Sequence, residues 1–329
     1  MNSAPSGKRA AAWLCALLGS ASLSATTAPA HADVLAIASG ATSGVYYRAG
    51  ELLCKYYRGE ATNAADQCRT VPTAGSVMNL TLLRKRRGNF ALVQSDVQFQ
   101  AYAGQGQFAG KGQFEDIRSL FSLHPEIVTI VARADAGIRK PEDLVGKRVG
   151  NGAPGSGSRL GADQLFGALG YDRARFALLS AAAPGEAGER LCKRSLDAFL
   201  VVMGHPAATI AEPVERCGAR LIPVTGNAVD GLLRDSRYLV RTTIPANLYR
   251  GHDKPIPSYG PLAVMVSTSQ VPADLVYRLV KATFDHLEEL RKDSPSFAEL
   301  NNWDMISAGL TAPLHEGAVR YYRERGWIR

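Results

Sequence analysis

The chain alternates two hydrophobic patterns. Short apolar runs such as LAIAS (35–39), FALVQ (90–94) and DAFLVV (197–202) read as buried strands. Val45, Ala49, Leu52, Leu53 and Tyr56, which follow the first run, recur at helical spacing. The same strand-then-helix unit returns where RTV (69–71) precedes a helix from Val77, and where KRVGN (147–151) precedes a helix from Leu160. Such alternation predicts an α/β fold with helices on both faces of its sheets. Beyond Pro272, which marks a helix start, Leu275, Val276, Leu279, Val280, Phe284 and Leu287 fall on one helical face. A last short helix, His315 to Arg325, stops at Gly326.

Two further apolar runs frame the middle of the chain, IVTIVAR (127–133) and GPLAVMV (260–266), with an uninterrupted second α/β unit between them. Read as strands crossing between lobes, they predict lobe I from residues 33–131 and 263–329 and lobe II from residues 132–262. A cleft would lie between the lobes, with the two crossing strands as its hinge.

The first 32 residues do not fit this pattern. Lys8 and Arg9 precede a small, apolar stretch from Ala10 to Ser24 and then Ala30-His31-Ala32, which is the form of a secretory signal with an A-x-A cleavage site. Cys15 inside that stretch is misplaced for a lipid-modified first residue, so no lipid anchor is expected. No later segment reaches the ~20 apolar residues a spanning helix needs, so the mature chain is not expected to insert into a membrane. Cleavage after Ala32 removes two cations and no anion, taking the net charge from +8 to +6. That balance suits an anionic ligand and suits plain solubility equally. The basic run Arg84-Lys85-Arg86-Arg87 ends a helix before Gly88, where cations complement the helix dipole, and an exported chain offers no role in binding nucleic acid.

Cleavage also leaves four cysteines in an oxidising compartment, Cys54, Cys68, Cys192 and Cys217. Of three connectivities, pairing neighbours (Cys54 with Cys68, Cys192 with Cys217) closes two short loops, each adding about 3 kcal/mol by restricting the unfolded chain. Neither Cys-x-x-Cys nor paired histidine spacing is present, so no metal is expected.

Three loops share one design, a strand end, a run of small residues and a helix start: SGATSG (39–44), PTAGS (72–76) and GAPGSGS (152–158). Small residues let backbone N–H groups approach a guest, and the first turn of each helix leaves donors unpaired where the dipole favours negative charge. A shared anion site follows. The alternative makes these ordinary caps, with Ser43, Ser76 and Ser158 bonding their own helices. Gly150, Gly152 and Gly155 match G-x-G-x-x-G, yet the strand FALLS (176–180) ends without the acidic residue a dinucleotide site needs, and no cofactor is expected. The five histidines beyond residue 32 are scattered and no H-E-x-x-H or G-x-S-x-G occurs, so no catalytic residues are expected. His124 and His205 each precede proline after an apolar run, at strand ends that would face a cleft. Gln94, Ser95 and Asp96 end a strand likewise; Asp96 either caps the next helix or faces a ligand's cationic group.

The segments SGATSGVYYRAGELLC, TAGSVMNL, FALVQSDVQFQAY, DLVGKRVGNGAPGSGSR, DAFLVVMGHP, TIPANLYRG and APLHEGAVRYY together resemble the TAXI family, in order from Val34 to the C-terminus. Members of that family are solute-binding subunits of TRAP transporters. The resemblance implies a periplasmic protein with the two-lobed type II periplasmic binding protein fold, its ligand cleft between the lobes. It implies a partner permease driven by an ion gradient and a small carboxylate ligand, either a glutamate-like amino acid or a dicarboxylate or keto acid. The ligand loops it implies are Thr42, Ser43, Gly44, Val45 and Tyr46 with Ser76 and Gln94 to Asp96 in lobe I. In lobe II they are Pro154, Gly155, Ser156, Gly157 and Ser158 with Gly204, His205 and Pro206. Arg159 after the last loop either adds a carboxylate contact or is a solvated first-turn residue. A receptor that senses the bound solute, or an exported enzyme on the same fold, are the rival functions.

Overall fold

The computed structural model describes residues 35–60 and 67–329; the secretory segment expected at 1–32 lies outside the described residues. Lobe I opens with β1 (Leu35–Ala38), α1 (Val45–Gly59), β2 (Cys68–Val71), α2 (Ser76–Arg84), β3 (Phe90–Gln94), α3 (Ser95–Ala103) and β4 (Ile117–Pro125). Lobe II carries β5 (Ile127–Ala132), β6 (Arg148–Gly150), α4 (Gly157–Ala168), β7 (Leu178–Ser180), α5 (Pro184–Cys192), β8 (Ala198–Met203), α6 (Ala208–Cys217), β9 (Arg220–Ile222) and α7 (Asn227–Asp235). A hairpin of β10 (Val240–Ile244) and β11 (Ile256–Gly260) leads back to lobe I, which ends with β12 (Leu262–Thr268), α8 (Ala273–Asp285), α9 (Leu287–Asp293), α10 (Asn302–Ser307) and α11 (Glu316–Glu324).

The two five-stranded sheets share one plan. The first runs β2-β1-β3-β12-β4 and the second β7-β6-β8-β5-β9. In each, the first three strands are parallel, and the fourth runs antiparallel to both of its neighbours. That antiparallel strand is, in both sheets, the one entered just after the chain changes lobe. Apolar clusters cover both faces of each sheet, which is why β3, β5 and β8 carry continuous rather than alternating apolar runs.

The lobe boundary expected at 131/132 needs correction. IVTIVAR does not cross between lobes: its strand, β5, lies inside the second sheet between β8 and β9. GPLAVMV likewise supplies β12, inside the first sheet between β3 and β4. The crossings are shorter, at Pro125 to Ile127 and at Gly260 to Leu262. There they touch, with the Glu126 N–H donating to the Pro261 carbonyl at 2.8 Å. A Cβ at Gly260 would stand 1.9 Å from the Glu126 carbonyl oxygen, so only glycine allows this approach. The apolar runs misled because a strand buried in a sheet and a strand passing between lobes have the same composition.

Both disulfides pair as expected, Cys54 with Cys68 and Cys192 with Cys217, with Cα atoms 5.2 and 5.4 Å apart. One ties α1 to β2, the other joins the ends of α5 and α6. No helix among the described residues is long and apolar enough to cross a membrane.

Candidate ligand-binding site

The lobes meet along the C-terminal ends of their parallel strands, where an open α/β sheet presents its binding crevice. The Met78 N–H donates to the Gly155 carbonyl across the cleft at 3.1 Å, and Gln94 Nε2 donates to the Val202 carbonyl at 3.3 Å. These contacts enclose a cavity of about 180 Å³, lined from lobe I by residues 40–46 and 73–76 in part and by Gln94, and from lobe II by Ala153, Ser156 to Ser158, Ala183, Pro184, Val202 and Met203; Glu126 of the crossing completes it. This is smaller than the ~300–1,000 Å³ of drug-sized pockets.

Four helices begin at this cavity. The caps of α1, α2 and α5 are Gly44, Gly75 and Ala183, and none makes a side-chain cap bond. Only α4 is capped conventionally, by Ser156, whose Oγ accepts from the Arg159 N–H at 3.1 Å. The serines considered as caps, Ser43, Ser76 and Ser158, hold none of these positions. Ser76 Oγ accepts from the Gln94 N–H at 3.1 Å, while Ser158 Oγ accepts from the Val202 N–H at 2.9 Å and donates to its carbonyl at 3.3 Å. First-turn N–H groups of α1 and α2, apart from that of Met78, are thereby left without a side-chain cap; α5 begins with Pro184, which has no N–H, and adds the partial positive charge of its terminus.

The remaining polar groups are of the opposite character. Glu126 is buried; its Oε1 lies 2.8 Å from His124 Nε2 and its Oε2 accepts from Gln94 Nε2 at 3.2 Å. Gln94 Oε1 and Tyr46 Oη are buried without a hydrogen-bond partner. Burial, then the nearby Glu126 carboxylate, pushes the Tyr46 phenol well above its usual value, so it stays a neutral donor. No lysine or arginine is among the lining residues.

Of the residues expected at the site, Gly44, Val45, Tyr46, Ser76, Gln94, Ser156, Gly157 and Ser158 line the cavity. Thr42 and Ser43 are exposed on the loop before α1, and Gly155 uses its carbonyl for the bond to Met78. Ser95 Oγ straps the lobes, donating to the Tyr238 carbonyl and accepting from the Leu262 N–H, both at 3.1 Å. Asp96 turns back on its own helix, accepting from the Val97 N–H at 2.8 Å, and reaches Gln164 of lobe II at 3.4 Å. Burial raises its carboxyl to about 7. The Gly204 to Pro206 turn backs the crossing instead of the cavity. A Cβ at Gly204 would stand 2.3 Å from the His124 ring. His205 lies between Thr129 Oγ1 (2.9 Å) and Tyr249 Oη (2.8 Å), and burial, aided by neighbouring His124, lowers it to about 3. Arg159 pairs with Asp163 at 3.0 Å, the surface alternative considered for it.

Glu126 is the functional candidate that sequence reasoning missed. A signal existed: FSLHPEIVTIV sets one carboxylate in a mostly apolar stretch without lysine or arginine, and a buried acid needs a reason.

Solved structures of the same architecture include MatC from Rhodopseudomonas palustris with bound malate, at a TM-score of 0.54 and 11% identity over 80% of this chain and 88% of MatC. The periplasmic binding protein BugD gives 0.51 and 15% over 81% and 84% of the two chains. A protein of Bordetella bronchiseptica RB50 gives 0.53 and 14% over 89% and 98%. At such identities the likeness shows the fold, the mixed α/β, two-sheet architecture of periplasmic binding proteins. The NMT1-like family model matches residues 37–326, and the chain belongs to that family.

Proposed function

We propose that this chain is the extracytoplasmic solute-binding subunit of a TRAP transporter of the TAXI type. It captures a small carboxylate by lobe closure and delivers it to an ion-gradient-driven permease. The observation that carries the reading is the convergence of four helix N-termini on one cavity between the lobes, three of them without a side-chain cap. A carboxylate there meets fixed N–H donors that need no reorganisation, and no side-chain cation has to be desolvated. The linked motifs of the TAXI resemblance and the secretory form of residues 1–32 support the transport role and a periplasmic address.

Capture works by differential contact. Ligand oxygens dock first on the α1 and α2 termini of lobe I; the α4 and α5 termini reach them only when the lobes meet. The free energy for closure comes from contacts absent in the open form. Thermal unfolding of the mature protein against amino acids, keto acids, dicarboxylates and aromatic acids tests the reading, because a ligand that binds only the native state adds about 2.7 kcal/mol at a hundredfold excess over Kd. A rise in Tm confined to one carboxylate class is expected; no shift across the panel would overturn it. Uptake by proteoliposomes holding the partner permease should follow an ion gradient and ignore ATP.

A further inference from the structure

Helix N-termini explain how the cavity holds an anion, and they leave Glu126 unexplained. Its carboxylate lines the same cavity, is 3% exposed, and faces no cation among the described lining residues. His124 Nε2 points at Glu126, whereas Nδ1 is buried without a partner. His205, the other nearby ring, is held neutral by burial. A buried carboxyl group at the wall of a ligand cavity is matched by a hydrogen-bond donor on the ligand, and best by a cationic one.

A further acceptor lies beside it. Gln94 spends its amide nitrogen on Glu126 and on the Val202 carbonyl, so its unpartnered Oε1 adds a second acceptor at the same wall of the cavity. A cavity with N–H donors at its helix termini and buried acceptors at the crossing matches a molecule that carries both signs of charge.

Resting on the reading of this cavity as a solute site, we propose that Glu126 is its specificity-determining residue, selecting carboxylates that also carry a cationic amino group. Dicarboxylates and keto acids of the same skeleton are rejected, because their second acceptor would face Glu126 with no proton between them. Glu126 lies on the crossing between lobes, so the ligand's amino group binds at the hinge and its carboxylate at the helix termini.

The test compares matched pairs by calorimetry and thermal shift: L-glutamate with glutarate and 2-oxoglutarate, and L-norvaline with valerate. Wild type is expected to bind the amino member of a pair at least tenfold tighter. Glu126→Gln keeps the shape and the acceptor for His124, and should lose at least tenfold for the amino member while holding or improving on its partner. A wild-type preference for the amino-free members, or a Glu126→Gln preference equal to wild type, overturns the role of Glu126 and leaves the solute site standing. Silence from every probe with wild type overturns both readings. The wild-type comparison decides the matter on its own should Glu126→Gln fail to fold.

Discussion

Asp96→Asn gives a quantitative test of how the lobes are held together. Asp96 is buried at the lobe contact, where Gln164, Tyr238, Tyr259 and Glu126 face it and no cation does. Desolvation raises its carboxyl from 3.8 to about 7, a difference of about 3 units, or about 4 kcal/mol between protonation states. Between pH 4 and 7 the folded protein therefore keeps a proton that the unfolded chain has released, and stability falls as pH rises through this window, levelling off above 7. Asparagine preserves the acceptor for the Val97 N–H and carries no charge at any pH. His205, lowered to about 3, acts with the opposite slope between pH 3 and 6.5, and it does so equally in both proteins. Urea unfolding of wild type and Asp96→Asn from pH 4.5 to 8.5 isolates the term. The variant should gain on wild type with rising pH, by up to about 4 kcal/mol at pH 8. Parallel stability curves would refute the claim that Asp96 is desolvated at the closed lobe contact.

Gly157→Ala places a methyl group 2.1 Å from Gln94 Oε1, so the buried Gln94 amide or the start of α4 must shift, and ligand affinity should fall at least tenfold. A ligand-induced Tm shift equal to wild type would show that the cleft closes without this contact. Replacing Cys192 and Cys217 together by serine should cost about 3 kcal/mol in urea unfolding, and reductant should then have a smaller effect than on wild type.

Much of this was legible because composition follows burial. The strands LAIAS, FALVQ and DAFLVV appear where their apolar runs stood, and the apolar face from Leu275 to Leu287 is buried, divided between α8 and α9. The three small-residue loops do reach one cavity, since glycine at a strand end is the residue that leaves backbone N–H groups approachable. Other features depend on partners distant in sequence. That Ser95 would strap Tyr238 to Leu262, or that β4 would pair with β12, is set by long-range pairing that no local pattern encodes. The fourth helix terminus, at Ala183 and Pro184, carries neither glycine nor a capping side chain, so the signal used for the other three passed over it. Glu126 was missed for a related reason: attention to donors for an anion ignored an acid.

The position of β12 also constrains how the molecule is made. This strand sits in the interior of the first sheet, between β3 and β4, yet it spans Leu262–Thr268, whereas every strand of the second sheet falls between Ile127 and Ile222. A chain emerging N-terminus first therefore holds all strands of lobe II before lobe I can join its halves. Until then β3 and β4 each offer an unpaired edge, and closing that gap demands contacts of long sequence separation, which form slowly. Lobe I thus remains incomplete until nearly the whole polypeptide is available, so truncation near the C-terminus would leave lobe II with all its strands and lobe I with a gap in its sheet.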